Sequence, residues 1–189
     1  MLQYFLAGVT DQGREAMLYR ITDSLYTITD QCVIALSLGQ SFELFYTKTA
    51  MLHKHSLQSM VQNYLEALNK FELLCSVPEE SQNRLAISTL KREMEKSAVD
   101  IFNKVWCAFP FSAEDVQSSK QLLDTAPEYV KQLLMAALFL GQTKFYDEKK
   151  LILMMETYLA ATDVKTQTRA LVGVVLTMIL HPKRIQLSS

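Results

Sequence analysis

The sequence predicts an all-α protein, an antiparallel helical bundle leading into an αα-superhelix. Three observations carry this prediction. Gly (5) and Pro (4) are scarce among 189 residues, and strands need the turns that these residues make. Long stretches repeat apolar residues every third or fourth position, the period of one helix face. Residues 125–180 read as three amphipathic helices separated by short polar breaks, and the third opens at Asp163, 38 residues after the first opens at Thr125.

The elements follow in chain order. Asp11 is an N-cap candidate, with Glu15 in the first turns to complement the helix dipole. Leu18, Ile21, Leu25, Ile28, Cys32 and Ala35 then recur at spacings of 3, 4, 3, 4 and 3, a heptad seam. The β-branched residues in Tyr26-Thr27-Ile28-Thr29 lower helix propensity, but a period kept over six positions outweighs them. Gly39 ends the helix as a C-terminal glycine would. A second helical region starts near Ser41. Phe42, Phe45 and Tyr46 form an early turn, and Leu57, Met60, Val61, Tyr64, Leu65, Leu68 and Phe71 share one face. The polar stretch from His53 to Ser56 leaves two readings open: one helix from Ser41 to Cys75, or two helices with Ser56 as a new cap.

Pro78-Glu79-Glu80 marks the next start, since proline and acids suit a first turn. Leu90, Met94, Ala98, Ile101, Val105 and Phe109 give that helix its face, with Leu85 and Ile87 flanking its beginning, and Pro110 stops it. Ser112 and Asp115 match a capping box that opens a short helix through Leu122 and Leu123. Thr125-Ala126-Pro127-Glu128 reads as a Thr cap with Pro and Glu in the first turn, followed by the face Val130, Leu133, Leu134, Ala137, Leu138 and Gly141. The next helix starts near Asp147 and carries Leu151, Met154, Met155, Tyr158 and Leu159. The last starts near Asp163, carries Val164, Leu171, Val174, Val175 and Met178, and ends at Pro182, for about seven helices in all. The runs Leu133–Leu140 and Ala170–Leu180 are apolar nearly all round, as for helices sandwiched between neighbours.

The chain reads as a single all-helical domain over 1–189, with a long-helix bundle over 1–110 and a helical-repeat segment over 111–189. At Asp163-Val164 and Arg169-Ala170-Leu171 the C-terminal third resembles HEAT or armadillo-type helical repeats. The resemblance implies pairs of antiparallel helices stacked into an αα-superhelix that binds proteins and has no catalytic residues. Repeats of that class run to about 40–47 residues, so the 38-residue period is slightly short. The final helix is apolar, whereas a repeat array closes with a polar capping helix. The expectation is a fragment of a larger protein with further repeats, or a face packed against another subunit.

Composition narrows function. A formal net charge of −1 gives no electrostatic case for nucleic acid or an anionic membrane. Three cysteines, Cys32, Cys75 and Cys107, are an odd count with no close pair, which suggests a reducing, cytoplasmic setting and core packing. Residues 1–8 lack the basic and long apolar regions of a signal peptide. No phosphate-cradling glycine loop, Cys-x-x-Cys pair or nucleophile elbow occurs. His53 and His55 fall on nearly opposite sides of a helix, and a metal pair needs i,i+4. His181 sits at a helix end, where it reads as a cap. Glu79-Glu80, Glu114-Asp115 and Asp147-Glu148 all lie at helix starts, where the dipole accounts for them. Lys149-Lys150 and Lys183-Arg184 read as solvated surface, with the beginning of a linker as the alternative for the second. Phe109-Pro110-Phe111 and Phe145-Tyr146 lie at junctions, where they pack loops down or anchor a partner.

The expectation is therefore a non-enzymatic protein–protein interaction scaffold of helical-repeat type, with no catalytic, cofactor-binding or metal-binding residues and no cofactor. The alternative is a homodimerisation module that pairs the seam from Leu18 to Ala35 between subunits. A small-ligand-binding helical domain ranks third.

Overall fold

The computed structural model describes residues 13–52, 54–76 and 81–186. Among the described residues it is 84% helical, with no strands. Nine helices occur among the described residues: α1 (Arg14–Ser37), α2 (Leu44–Leu52), α3 (Leu57–Ser76), α4 (Ser81–Cys107), α5 (Ala113–Thr125), α6 (Glu128–Gln142), α7 (Glu148–Ala160), α8 (Val164–Leu180) and α9 (Pro182–Gln186). The polar break after Leu52 separates α2 from α3, which decides between the two readings of Ser41–Cys75. Asp11, His53 and Pro78-Glu79-Glu80 lie outside the described residues.

The helices from α3 onward form two rows. In one, α3 packs on α5 and α5 on α7; in the other, α4 packs on α6 and α6 on α8. Across the rows, α3 meets α4, α6 meets both α5 and α7, and α7 meets α8. One core runs between them, from Leu57, Val61, Tyr64 and Leu68 of α3 through Met94, Ala98, Ile101 and Val105 of α4 to Val130, Leu134 and Leu138 of α6. These are the faces that the 3.6-residue period marks out. The core reaches Leu151, Met154, Ala170 and Val174 at its far end. Tyr64 is wholly buried, and its hydroxyl lies 3.3 Å from that of Tyr129. A satellite cluster sits beside this core: Phe45 makes edge contacts with Tyr46 and Trp106 and a tilted one with Phe145, and Ile34 and Cys107 fill the gaps.

Local signals set the helix ends. Ser112 Oγ accepts the Asp115 amide while the Asp115 carboxylate accepts the Ser112 amide, a complete capping box at the start of α5. Asp147 and Asp163 cap α7 and α8 through the amides two and three residues on. Gly39, at φ +80°, takes the left-handed conformation just beyond the end of α1. Thr125 departs from expectation. It is the last residue of α5, its hydroxyl is bonded to the Gln121 carbonyl, and Pro127 precedes α6 without a side-chain cap.

Two expectations about packing are overturned. Of the face expected for α8 only Val174 is buried; Val164, Leu171, Val175 and Met178 are exposed, and the small residues Thr166, Ala170, Gly173 and Thr177 complete the buried side. Small residues let α8 lie close to its neighbours: a Cβ on Gly173 would stand 2.7 Å from Met154 Sδ. The seam of α1 is not the core of an N-terminal bundle either. Leu18, Ile21, Leu25, Ile28, Cys32 and Ala35 are all exposed, and Ile34 is the residue that α1 buries. Phe42, grouped with Phe45 and Tyr46 by sequence, is fully exposed.

Candidate functional site

The outer side of α7 and α8 is built from a buried polar cluster upward. The amide of Asp147 donates to Gln142 Oε1 and Gln142 Nε2 donates to the Asp147 carbonyl, so the turn between α6 and α7 closes on itself. One carboxylate oxygen of Asp147 accepts the amides of Lys149 and Lys150, and the other accepts the amide of Phe111 at 2.7 Å. A single side chain thus starts α7 and ties it to the segment that follows α4.

Lys150 was expected in solvent. It is instead buried, at 2% exposure. Its ammonium donates to the carbonyls of Val105, at 2.9 Å, and Trp106, at 3.5 Å. Those are among the last carbonyls of α4, which have no partner within their own helix. A cation at a helix C-terminus also complements the dipole. The Phe111 ring lies 5.3 Å from the ammonium. Burial lowers the Lys150 pKa to about 8, with Asp147 the nearest opposing influence. Gly141 leaves the space: a Cβ there would stand 2.5 Å from Lys150 Nζ and 3.0 Å from the Trp106 carbonyl. His181 donates Nε2–H to the carbonyl of Gln142 at 2.6 Å, so it caps α6 from the end of α8. Phe145 and Tyr146 are buried beside this cluster, which makes them loop-packing residues.

With α7 and α8 held from within, their other sides face outward. Ile152, Met155 and Leu159 form an exposed stripe on α7. On α8, Leu171, Val172, Val175, Leu176, Met178 and Ile179 are exposed over a broad arc, Ile179 at 68%. Soluble proteins seldom leave apolar surface of this extent uncovered. A half-open groove of about 480 Å³ lies between α5, α6, α7 and the start of α8. Three of its charged residues have partners: Lys120 pairs with Glu156 at 2.8 Å, and Asp163 accepts from Thr166, Lys165 and Gln132. Thr166 holds the Asp163 carboxyl well below the usual carboxylate range, at about 2.

A second surface lies on α1. This helix is fastened by its polar side. Arg184, also expected in solvent, reaches Asp30 at 3.2 Å and Asp23 at 3.5 Å and lies 4.5 Å from the Tyr26 ring centre and 5.1 Å from that of Tyr146. Burial raises the Asp30 carboxyl, and Arg184 opposes that rise. An ordinary surface helix turns its apolar stripe inward; α1 has the opposite orientation.

Residues considered for chemistry are scattered. Cys32 and Cys75 are exposed, contrary to the expectation of core packing, and Cys107 is buried with its thiol pushed up by burial. His55 is exposed, and His181 is engaged as the cap of α6. Among the described residues, no group of three His, Cys, Asp or Glu is placed to hold a metal ion. No helix among them is long and apolar enough to cross a membrane. Compared with known proteins, the chain matches no family model, no curated protein and no solved structure.

Proposed function

We propose that this chain is a non-enzymatic interaction scaffold of αα-superhelical, HEAT-like type, and that the outer sides of α7 and α8 receive helices of a protein partner. The observation that carries the reading is the arc on α8 from Leu171 to Ile179, apolar and exposed on a helix whose opposite side is tightly packed. Two rows in which each helix leans on the one two places on supply the architecture. In such rows a further helix pair would lie on α7 and α8 as these lie on α5 and α6. Recognition would be by shape and apolar burial: covering a Leu, Ile or Val side chain contributes roughly 1.5–3 kcal/mol, and an amphipathic helix supplies such residues at i, i+3, i+4 and i+7.

The test is selection from a displayed library of amphipathic helical peptides against the immobilised chain. The expected result is enrichment of sequences with an apolar stripe that lose binding to the Val175→Lys/Ile179→Lys variant. Those two side chains are exposed, so the variant keeps its melting temperature. Binding that survives both substitutions, or no enrichment, overturns the proposal.

A further inference from the structure

We infer that the outward seam of α1 pairs with α1 of a second copy of this chain, as an antiparallel two-helix coiled coil. The inference concerns a different surface from α7 and α8. Its first support is orientation. Asp23 and Asp30, held by Arg184, lie on the side of α1 opposite the seam, so the clamp points the seam away from its own body. Leu18, Ile21, Leu25 and Ile28 are each at least half exposed. A 3-4 seam of this kind is stable when a second helix inserts its own knobs between these side chains.

The second support is charge. The positions flanking the seam are Met17, Thr22, Ser24, Thr29, Gln31 and Leu36. None is charged. Two identical copies meet without like-charge repulsion, and no flanking charge selects an unlike partner.

The third support is volume, and it sets the direction. Side chains are large at the N-terminal end of the seam and small at the C-terminal end. A parallel pair would stack Leu18 on Leu18 and Ala35 on Ala35, crowded at one end and hollow at the other. It would also put Leu at one core position and Ile at the other, a combination that does not favour parallel dimers. The antiparallel pair matches Leu18 with Ala35, Ile21 with Cys32 and Leu25 with Ile28, so no layer joins two small side chains and volume is spread more evenly than in the parallel pair. The seam from Leu18 to Ala35 gives a contact about 26 Å long, at ~1.5 Å per residue.

The experiment uses the full chain with Cys75→Ser, so that Cys32 is the remaining exposed native thiol among the described residues. Sedimentation over a wide concentration range is expected to show a dimer, lost in Leu25→Asp/Ile28→Asp with unchanged circular dichroism and with a melting temperature that no longer depends on concentration. Oxidation of the Ile21→Cys variant is expected to give a covalent dimer through Cys32 of the other copy. Within one helix those positions are about 16 Å apart, beyond the reach of a disulfide. A covalent dimer through Cys32 alone would mean a parallel pair and overturn the arrangement. A monomer at every concentration, or a dimer that survives Leu25→Asp/Ile28→Asp, overturns the pairing itself.

Discussion

Gly141 of α6 stands directly against the ammonium of Lys150 of α7, so close that a Cβ would lie 2.5 Å from the nitrogen. The glycine and the buried cation are therefore one design: the first makes the space in which the second binds the end of α4. Gly141→Ala should destabilise the chain by about 1–3 kcal/mol through overpacking, although alanine is favoured over glycine within a helix by about 1 kcal/mol. Urea unfolding checks this. In a Lys150→Met background the penalty of Gly141→Ala should shrink, because the colliding ammonium is gone. A penalty unchanged by that background would show that the strain lies on the Trp106 carbonyl instead.

The same lysine has a signature in pH. Its folded-state pKa is lowered to about 8 from 10.5. Below about pH 8 it is protonated in both states, and the full cost of burying the charge is present. Between about 8 and 10.5 the unfolded chain binds more protons than the folded one, so the contribution of Lys150 to stability rises with pH. Cys107 and Tyr64, both raised by burial, act the opposite way at the alkaline end. The clean measurement is thus the stability difference between the native chain and Lys150→Met across this range. It should move in favour of the native chain as pH rises.

Asp147 should be the costliest helix cap. Asp147→Ala removes the cap of α7, worth about 0.5–2 kcal/mol, and leaves the Phe111 amide unsatisfied, at a further ~1–3 kcal/mol. Asp163→Ala removes the cap of α8 and a long, part-buried hydrogen bond from Gln132 but orphans no buried backbone amide of another segment, and should lower the melting temperature less. The Asp163 carboxyl, held at about 2 against 3.8, adds stability that is present above pH 3.8 and lost as pH falls through 2. Acid unfolding of the two variants separates their roles.

Arg184→Met should free α1 and leave the rest of the fold intact. Hydrogen exchange is the measurement: amides of α1 should lose protection while those of α3–α8 keep theirs. The effect should be mimicked in part by high salt, which screens the half-exposed Asp23 more than the better-buried Asp30. Uniform loss of protection across the chain would show that the clamp is integral to the core.

Much of the fold was legible because its causes are local. The capping box of Ser112 and Asp115 and the acids at 147 and 163 act within three residues, so the sequence displays them. The faces of α3, α4 and α6 were legible because bulky residues there do the burying. On α8 that rule holds for Val174 alone: Thr166, Ala170, Gly173 and Thr177 are buried because they are small, and most of the large residues are left outside. Neither Lys150 nor Arg184 was legible. A lysine beside a lysine reads as surface, and nothing near it announces that α4 ends without partners 45 residues earlier. The outward seam of α1 was recognised as a seam, but its direction depends on an arginine 154 residues from Asp30.

The clamp at Arg184 also bears on how the polypeptide emerges from the ribosome. Asp30 is synthesised 154 residues before the guanidinium that receives it. At about 5–20 residues per second this leaves α1 unlatched for roughly 8–30 seconds. During that interval both sides of the helix are open, and neighbouring nascent chains on one messenger hold theirs open too.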